Sequence, residues 1–116
     1  MNRREAERGG RRAERLAAWW LRLKGWRILA IRARTPVGEV DLIARRGRTL
    51  AFIEVKARAS TADVELALDE YRLRRVIRAA EALLPRHMRD GDIARIDAIF
   101  VTPWRLPRHL TNVSES

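Results

Sequence analysis

Four charged residues stand at alternate positions of two neighbouring apolar segments. Glu39 and Asp41 belong to the string GEVDLIA, and Glu54 and Lys56 belong to the string FIEVKAR. Carboxylate oxygens are hard ligands that suit Mg²⁺ or Mn²⁺, ions that keep several waters and bridge to phosphate groups. A lysine beside such carboxylates can stabilise negative charge developing on a phosphoryl group or orient a water. The residue types therefore indicate metal-assisted phosphodiester chemistry.

A simpler interpretation of the same pattern is an ordinary solvent-facing sheet surface. Polar residues with a period of two are normal on such a face. Glu54 and Lys56 would then form only a surface ion pair. Because a Glu and a Lys two positions apart are common on strands, the triplet alone does not decide between the two interpretations.

The apolar pattern predicts six elements that would position these residues, in the order α-β-β-β-α-β. Helices are predicted from three- and four-residue apolar spacing, over 11–24 and, capped by Ser60 and Thr61, over 60–84. Strands are predicted from β-forming segments between Gly and Pro breaks, over 26–34, 37–45, 49–57 and 94–101. This order indicates a small mixed α/β sheet flanked by helices.

The chain is long enough for one domain. We expect a flexible basic arm over 1–12, a single domain over 13–101 and an extended tail over 102–116. The arm is dominated by Arg, and the tail contains two prolines and mostly polar residues.

The second and third strands are predicted to form a hairpin. A two-residue turn at 46–47 would place Asp41 opposite Phe52 and Glu39 opposite Glu54. Since side chains alternate faces along a strand, all four charged side chains would then share one face. Three carboxylates together are costly without a compensating cation, because like charges opposite each other destabilise strand pairing. The face is thus a candidate metal site.

The overall charge points to a polyanionic partner. The 116-residue chain carries 25 Lys and Arg against 15 Asp and Glu, a net charge of +10. Nucleic acid is the simplest such partner, and a solvated Arg-rich surface is the alternative.

The chain has no cysteine, which excludes disulfide scaffolds, thiolate metal sites and Cys nucleophiles. No apolar run approaches the roughly 18 residues of a spanning helix, and no secretory segment is visible, so a cytoplasmic protein without membrane contact is expected.

Taken together, several strings resemble those of the YraN-like family of bacterial proteins. They are GRRAE from Gly10, GWRILA from Gly25, GEVDLIA, FIEVKAR and a late RID, and the resemblance extends to about Val101. Arg32 departs from the family pattern, in which Asn is expected. That family is similar to the PD-(D/E)XK nuclease superfamily, and especially to archaeal Holliday-junction resolvases.

The resemblance implies a restriction-endonuclease-like fold and a divalent-metal-dependent endonuclease that hydrolyses phosphodiester bonds in DNA. Branched or otherwise structured DNA is the implied substrate class, and Mg²⁺ or Mn²⁺ is the implied cofactor. A non-catalytic nucleic-acid-binding module on the same fold is the alternative. A resolvase acting on a symmetric junction is expected to be a homodimer, although nothing in the sequence identifies the dimer surface.

By position, the resemblance assigns roles to five residues. Asp41 and Glu54 would be the metal-binding carboxylates, and the carbonyl of Val55 would add a ligand. Lys56 would be the catalytic lysine of the E-x-K triplet. Glu14, on the first helix, matches the acidic residue that assists the metal.

Further residues surround this set. Glu39 accompanies the carboxylates, either as a second-metal ligand or in a structural role. Arg58, just after the triplet, and Arg72 and Arg75 on the second helix are candidate contacts to nucleic-acid phosphates. Trp104, in the proline-flanked tail, is the best of the four tryptophans for stacking on a base or for an interface.

Overall fold

The computed structural model describes the backbone of residues 3–58 and 70–114, and the side chains of residues 10–58 and 73–114. In this part of the chain the elements are α1 (Arg3–Leu23), β1 (Arg27–Thr35), β2 (Gly38–Arg46), β3 (Thr49–Ala57), α2 (Glu70–His87), β4 (Ile93–Val101) and β5 (Arg108–Leu110). The predicted order α-β-β-β-α-β is confirmed, with one short strand added after it. The predicted cap of the second helix at Ser60 and Thr61 lies outside the described residues.

Two of these elements extend into the predicted terminal segments. α1 begins at Arg3, inside the segment 1–12 that was assigned to a flexible arm, and β5 lies inside the predicted tail. Within the described residues, no helix combines the length and the apolar character needed to cross a membrane.

The five strands form one mixed sheet in the order β1-β2-β3-β4-β5. Neighbouring strands are antiparallel except for β3 and β4, which are parallel. Parallel neighbours need a crossover connection, and α2 lies in the chain between these two strands. β3 is therefore the central strand of the sheet.

Each face of β3 supports its own apolar core. Ala51 and Ile53 pack on the α1 side, together with Ala17 and Leu21 of that helix. The alternate residues of β3 pack on the α2 side, where the core contains Leu50, Phe52, Val76, Ala80 and Leu83. Burying both faces explains why this strand is apolar at nearly every position before its carboxyl end.

The predicted stop of α1 at Gly25 is confirmed. Gly25 has φ +87°, a conformation that favours glycine. Its N–H donates to Arg22 O (3.1 Å), and the N–H of Trp26 donates to Leu21 O (3.0 Å), which is the Schellman pattern of a helix end. Trp26 and Leu21 then pack in the same core. This cap directs the chain from α1 into β1.

The predicted register of the β2–β3 hairpin is wrong. Arg46 pairs with Thr49 and Ile43 pairs with Phe52, so the two turn residues are Gly47 and Arg48 rather than 46–47. Gly47 has φ +61°, and a two-residue turn with Gly at its first position is a favoured hairpin connection. Because the turn lies one residue later than predicted, each residue of β2 pairs two positions further along β3. Phe52 therefore lies opposite Ile43 and not opposite Asp41.

A buried carboxylate attaches the end of the chain to the sheet. Asp97 of β4 is fully buried. It accepts hydrogen bonds from Arg95 Nε (2.9 Å) and Asn112 N (2.9 Å), and His109 Nε2 lies 2.7 Å from its second oxygen. Burial alone would raise the pKa of Asp97, but these hydrogen bonds outweigh it and hold the pKa below its usual value. The residues after β4 are thus fixed by a polar contact as well as by β5.

Candidate active site

The sheet divides between β2 and β3. Their described pairing ends at Leu42 and Ile53. Beyond that point β2 continues against β1 as far as Gly38, while β3 continues against β4 as far as Ala57. We call this separation of the two strands the fork. Asp41 and Glu54 are the first residues past it on their respective strands.

The carboxylate of Asp41 is held at the fork by a backbone hydrogen bond. The N–H of Val55 donates to Asp41 Oδ2 at 2.7 Å. A side-chain oxygen thus satisfies a backbone donor of β3 where strand pairing has stopped. This contact places the carboxylate directly against the triplet of Glu54, Val55 and Lys56.

Regular alternation along β2 fails at Asp41. Val40 packs in the α2-side core, whereas Leu42 packs in the α1-side core, although residues two apart on a regular strand share a face. The register places Arg32 between the two β1 residues that pair with them, and Arg32 has φ +56°. A non-glycine residue with positive φ marks local strain. The uniform alternation predicted for β2 is therefore wrong at this point.

Glu54 and Lys56 form a largely buried ion pair. Lys56 Nζ lies 2.5 Å from Glu54 Oε1, and the side chains are only 11% and 13% exposed, respectively. They line a pocket of about 230 Å³ together with Glu39, Arg75 and Val76. The interpretation of these two residues as a solvent-facing surface pair is therefore wrong, because most of their surface is covered.

Glu14 approaches the fork from the inner side of α1. It is 8% exposed, and its Oε2 accepts a hydrogen bond from Arg32 Nε at 2.8 Å. This bond also raises the pKa of Arg32. Arg32 was not predicted as a partner of Glu14, since the two residues are 18 positions apart and meet only because α1 packs on β1.

The electrostatics of the fork centre on Asp41. Burial raises the pKa of Asp41 to about 6, with smaller contributions from the charges of Glu14 and Glu54. The hydrogen bond from Val55 and the charge of Lys56 oppose the rise. The carboxylate of Asp41 is therefore buried close to like charges on α1 and β3.

The donor set at the fork fits a hard divalent cation by chemical type. Among the described residues, no group of three or more His, Cys, Asp and Glu side chains is arranged to hold a metal ion. Mg²⁺, however, is commonly bound by one or two carboxylates and keeps several waters. Asp41 and Glu54 supply two carboxylates, and the backbone carbonyl of Val55 is a further oxygen. A cation would offset both the burial and the neighbouring negative charges that raise the pKa of Asp41.

Two of the remaining predicted site residues line the pocket beside Glu54 and Lys56, and one lines a different groove. Arg75 lines the same pocket as Glu54, and so does Glu39, which is 3.5 Å from Arg34 in an exposed ion pair. Arg58 lies just past the end of β3 and lines a separate groove. Arg72 is in α2, and its side chain lies outside the described part of the chain.

The sequence matches a bacterial protein family along most of its length. The profile of the uncharacterised protein family UPF0102 matches residues 13–101. A UPF0102 protein of Sphingopyxis alaskensis is 65% identical over 113 residues, which cover 97% of each chain. One from Rhizorhabdus wittichii is 65% identical over 114 residues, again 97% of each chain. The resemblance to the YraN-like family is thereby confirmed.

The fold matches that of a solved structure, Hjc of Archaeoglobus fulgidus, which is described as a Holliday junction resolvase from an archaeal hyperthermophile. The TM-score is 0.61 and the sequence identity is 21%, over 86% of this chain and 73% of that one. At this identity the likeness shows a shared fold, and it confirms the predicted fold class.

Proposed function

The chain belongs to the uncharacterised protein family UPF0102, and we propose that it is a divalent-metal-dependent endonuclease that hydrolyses phosphodiester bonds in DNA. One observation carries this proposal. The hydrogen bond of 2.7 Å from Val55 N to Asp41 Oδ2 brings a carboxylate of β2 against the Glu54–Lys56 triplet of β3. Two acids and a lysine thus meet in one partly buried position, a combination suited to phosphoryl chemistry.

In this proposal the cation is held by oxygens of the fork. Asp41 and Glu54 would bind it with their carboxylates, and Val55 with its carbonyl. Bound Mg²⁺ or Mn²⁺ would supply Lewis-acid polarisation of the phosphate and activation of a water. Glu14, already fixed by Arg32, would add negative charge on the α1 side and orient solvent there.

The cationic side chains around the fork would bind the phosphate groups of the DNA. Lys56, held by Glu54, would stabilise negative charge that develops on the scissile phosphate. Arg75, which lines the same pocket, would contact a neighbouring phosphate. Glu39 stands at the rim of that pocket and would shape access to it, or bind a second ion.

DNA is the proposed substrate for two reasons. The net charge of +10 favours a polyanion. The protein also shares its fold with Hjc, whose description as a Holliday junction resolvase supports branched or otherwise structured DNA as the substrate class. This proposal agrees with the cytoplasmic location expected from the sequence.

A non-catalytic DNA-binding module on the same fold is the second candidate. Its support is the pairing of the acids with cations of the chain itself, Glu14 with Arg32 and Glu54 with Lys56. Within the described side chains, moreover, no cluster of three or more potential ligands is arranged for a metal. Ion pairs of this kind can stabilise the fold without binding a metal ion.

A cleavage assay separates the two candidates. Linear, single-stranded, flapped and four-way DNA would be incubated with the protein in Mg²⁺, in Mn²⁺ and in EDTA. Variants Asp41→Asn, Glu54→Gln and Lys56→Met would be compared with wild type. Glu81→Gln, an exposed acid on α2, is the matched control.

We expect wild type and the control to cut in Mg²⁺ or Mn²⁺ but not in EDTA. Each fork variant should cut at least about a hundredfold more slowly, because several kcal/mol of charge stabilisation are lost. Wild type that binds all four DNAs and cuts none would favour the binding module. Fork variants that cut as fast as wild type would refute the proposed site.

A further inference from the structure

A second concave surface lies at the carboxyl end of β3 and β4. An apolar groove of about 800 Å³ runs between α1 and the segment 102–107 that follows β4. We call it the Trp104 groove. Trp104 is fully exposed, Leu106 is two-thirds exposed, and Trp19 of α1 is half exposed on its wall. Exposed apolar surface of this kind marks a binding surface.

A tight turn presents Trp104 to the outside. The N–H of Arg105 donates to Thr102 O at 3.3 Å, so Trp104 is the third residue of a four-residue turn that has Pro103 at its second position. Its φ of +64° belongs to that position of the turn, which usually holds Gly or Asn. Trp26, by contrast, is buried at 3% exposure in the core. The turn therefore holds the ring of Trp104 in solvent, where it can contact a partner.

The charge of the groove complements a polyanion. Arg12, Arg58 and Arg105 line it, and no Asp or Glu is among its lining residues in the part of the chain that the structure describes. Single-stranded nucleic acid is bound by this combination, because bases stack on aromatic rings while Arg side chains contact the backbone phosphates. A purely apolar partner would leave the three guanidinium groups without counter-charges.

The groove lies next to the end of the triplet, but on the other face of the sheet. Ala57 and Arg58, which line it, directly follow Lys56, and Arg58 N donates to Val101 O at 2.9 Å. Glu54 and Lys56 line a pocket with residues of α2, whereas α1 forms the wall of the groove. The two surfaces therefore meet at the carboxyl end of β3.

From these observations we infer that the Trp104 groove binds unpaired nucleotides of a DNA substrate, with Trp104 stacking on a base and Arg58 and Arg105 contacting phosphates. The inference rests on the proposed function for the identity of the nucleic acid. It narrows the substrate class to DNA that contains a single-stranded segment, such as a flap or an opened junction.

Binding measured in EDTA tests the inference without cleavage. Fluorescence anisotropy would compare a labelled oligothymidylate, an abasic oligomer with the same number of phosphates, and a duplex of the same length. Trp104→Ala and Trp104→Phe would be measured beside wild type. Leu23→Ala is the matched control, since Leu23 is an exposed apolar residue at the end of α1 outside the groove.

We expect wild type to bind the oligothymidylate more tightly than the abasic oligomer. Trp104→Ala should weaken oligothymidylate binding about 5- to 150-fold, the loss expected for one stacked base. Binding of the abasic oligomer and of the duplex should change little. Trp104→Phe should retain most of the affinity, and Leu23→Ala all of it. Because Trp104 is fully exposed, its variants should keep the wild-type Tm.

Two results would overturn the inference. One is equal affinity of wild type and Trp104→Ala for the oligothymidylate. The other is a wild-type dimer that Trp104→Ala converts to monomer in sedimentation velocity with unchanged DNA affinity, because the groove would then be covered by a second copy of the chain. If either result is found and wild type still cuts DNA in Mg²⁺, the groove inference is refuted and the proposed function stands. If wild type binds the oligothymidylate selectively but cuts no DNA, only the proposed nuclease function is refuted.

Discussion

Replacing Asp41 by Asn is expected to make the metal-free protein more stable at neutral pH while abolishing the proposed DNA cleavage. The carboxylate is held at the fork, and burial together with Glu14 and Glu54 disfavours its charge. Asn is nearly isosteric, and its carbonyl oxygen can still accept the hydrogen bond from Val55. The substitution therefore removes the charge and keeps the contact.

The magnitude follows from the pKa. The folded protein raises the pKa of Asp41 from 3.8 to about 6. One unit corresponds to about 1.4 kcal/mol, so ionised Asp41 lowers the free energy of unfolding by about 3 kcal/mol above pH 6. For a chain of this length each kcal/mol changes Tm by roughly 4 °C. Asp41→Asn should therefore raise Tm by roughly 10 °C in EDTA at pH 7.5.

The pH dependence gives the sign of the effect independently. Below the unfolded pKa of 3.8, Asp41 is protonated in both states and contributes no difference. Between pH 3.8 and 6 the unfolded state ionises first, so wild type loses stability relative to Asp41→Asn as the pH rises. Above pH 6 the difference should be constant.

Thermal and urea unfolding in EDTA, from pH 4 to pH 8, would measure this difference. Asp90→Asn, an exposed acid before β4, is the matched control and should behave like wild type. Mg²⁺ should then stabilise wild type and leave Asp41→Asn unchanged, because a ligand stabilises only the state that binds it. A variant less stable than wild type at pH 7.5, or a difference independent of pH, would refute the reasoning.

Three further changes test other parts of the structure. Asp97→Ala should lower the free energy of unfolding by about 3 kcal/mol at pH 7, since three polar partners lose a buried acceptor. Urea unfolding measures the difference from wild type. It should shrink as the pH falls below about 4, because the depressed pKa of Asp97 is then crossed and the wild-type carboxylate becomes protonated. Gly47→Ala should cost about 1 kcal/mol because of φ +61°, whereas Gly10→Ala in α1, where an added Cβ likewise meets no atom within 4 Å, should gain about 0.5–1 kcal/mol; chemical denaturation of both variants compares them directly. Arg75→Ala should weaken DNA binding and reduce the salt slope by about 1, more than Arg78→Ala, which lies about one turn further along the same helix and does not line the pocket, as measured by anisotropy over a salt series; equal slopes for the two variants would contradict a phosphate contact at Arg75.

Most of the fold could be predicted because its signals are local. β3 was predicted with its observed bounds, 49–57, since an apolar strand between a turn and a polar segment is readable from spacing alone. Gly25 marks the end of α1 through its own conformation. β5 could not be predicted, because its three residues are ordered by the distant carboxylate of Asp97 and by pairing with β4.

The composition of the candidate site was also readable, but its geometry was not. The even hairpin loop was correct, while its position was wrong by one residue, because Gly47 takes the first turn position. The fork itself has no local signal: it depends on β2 following β1 while β3 follows β4. The contact between Glu14 and Arg32 likewise requires α1 to be packed on the sheet.

We propose that Asp41 and Glu54 hold one divalent cation jointly. Mn²⁺ bound to the protein at pH 7.5 can be counted directly, because free Mn²⁺ gives a strong EPR signal that decreases on binding. Wild type should bind Mn²⁺ saturably, and Asp41→Asn and Glu54→Gln should each lose at least about tenfold in affinity. Wild type that binds no Mn²⁺ even with DNA present, or variants that bind it as tightly as wild type, would contradict the claim.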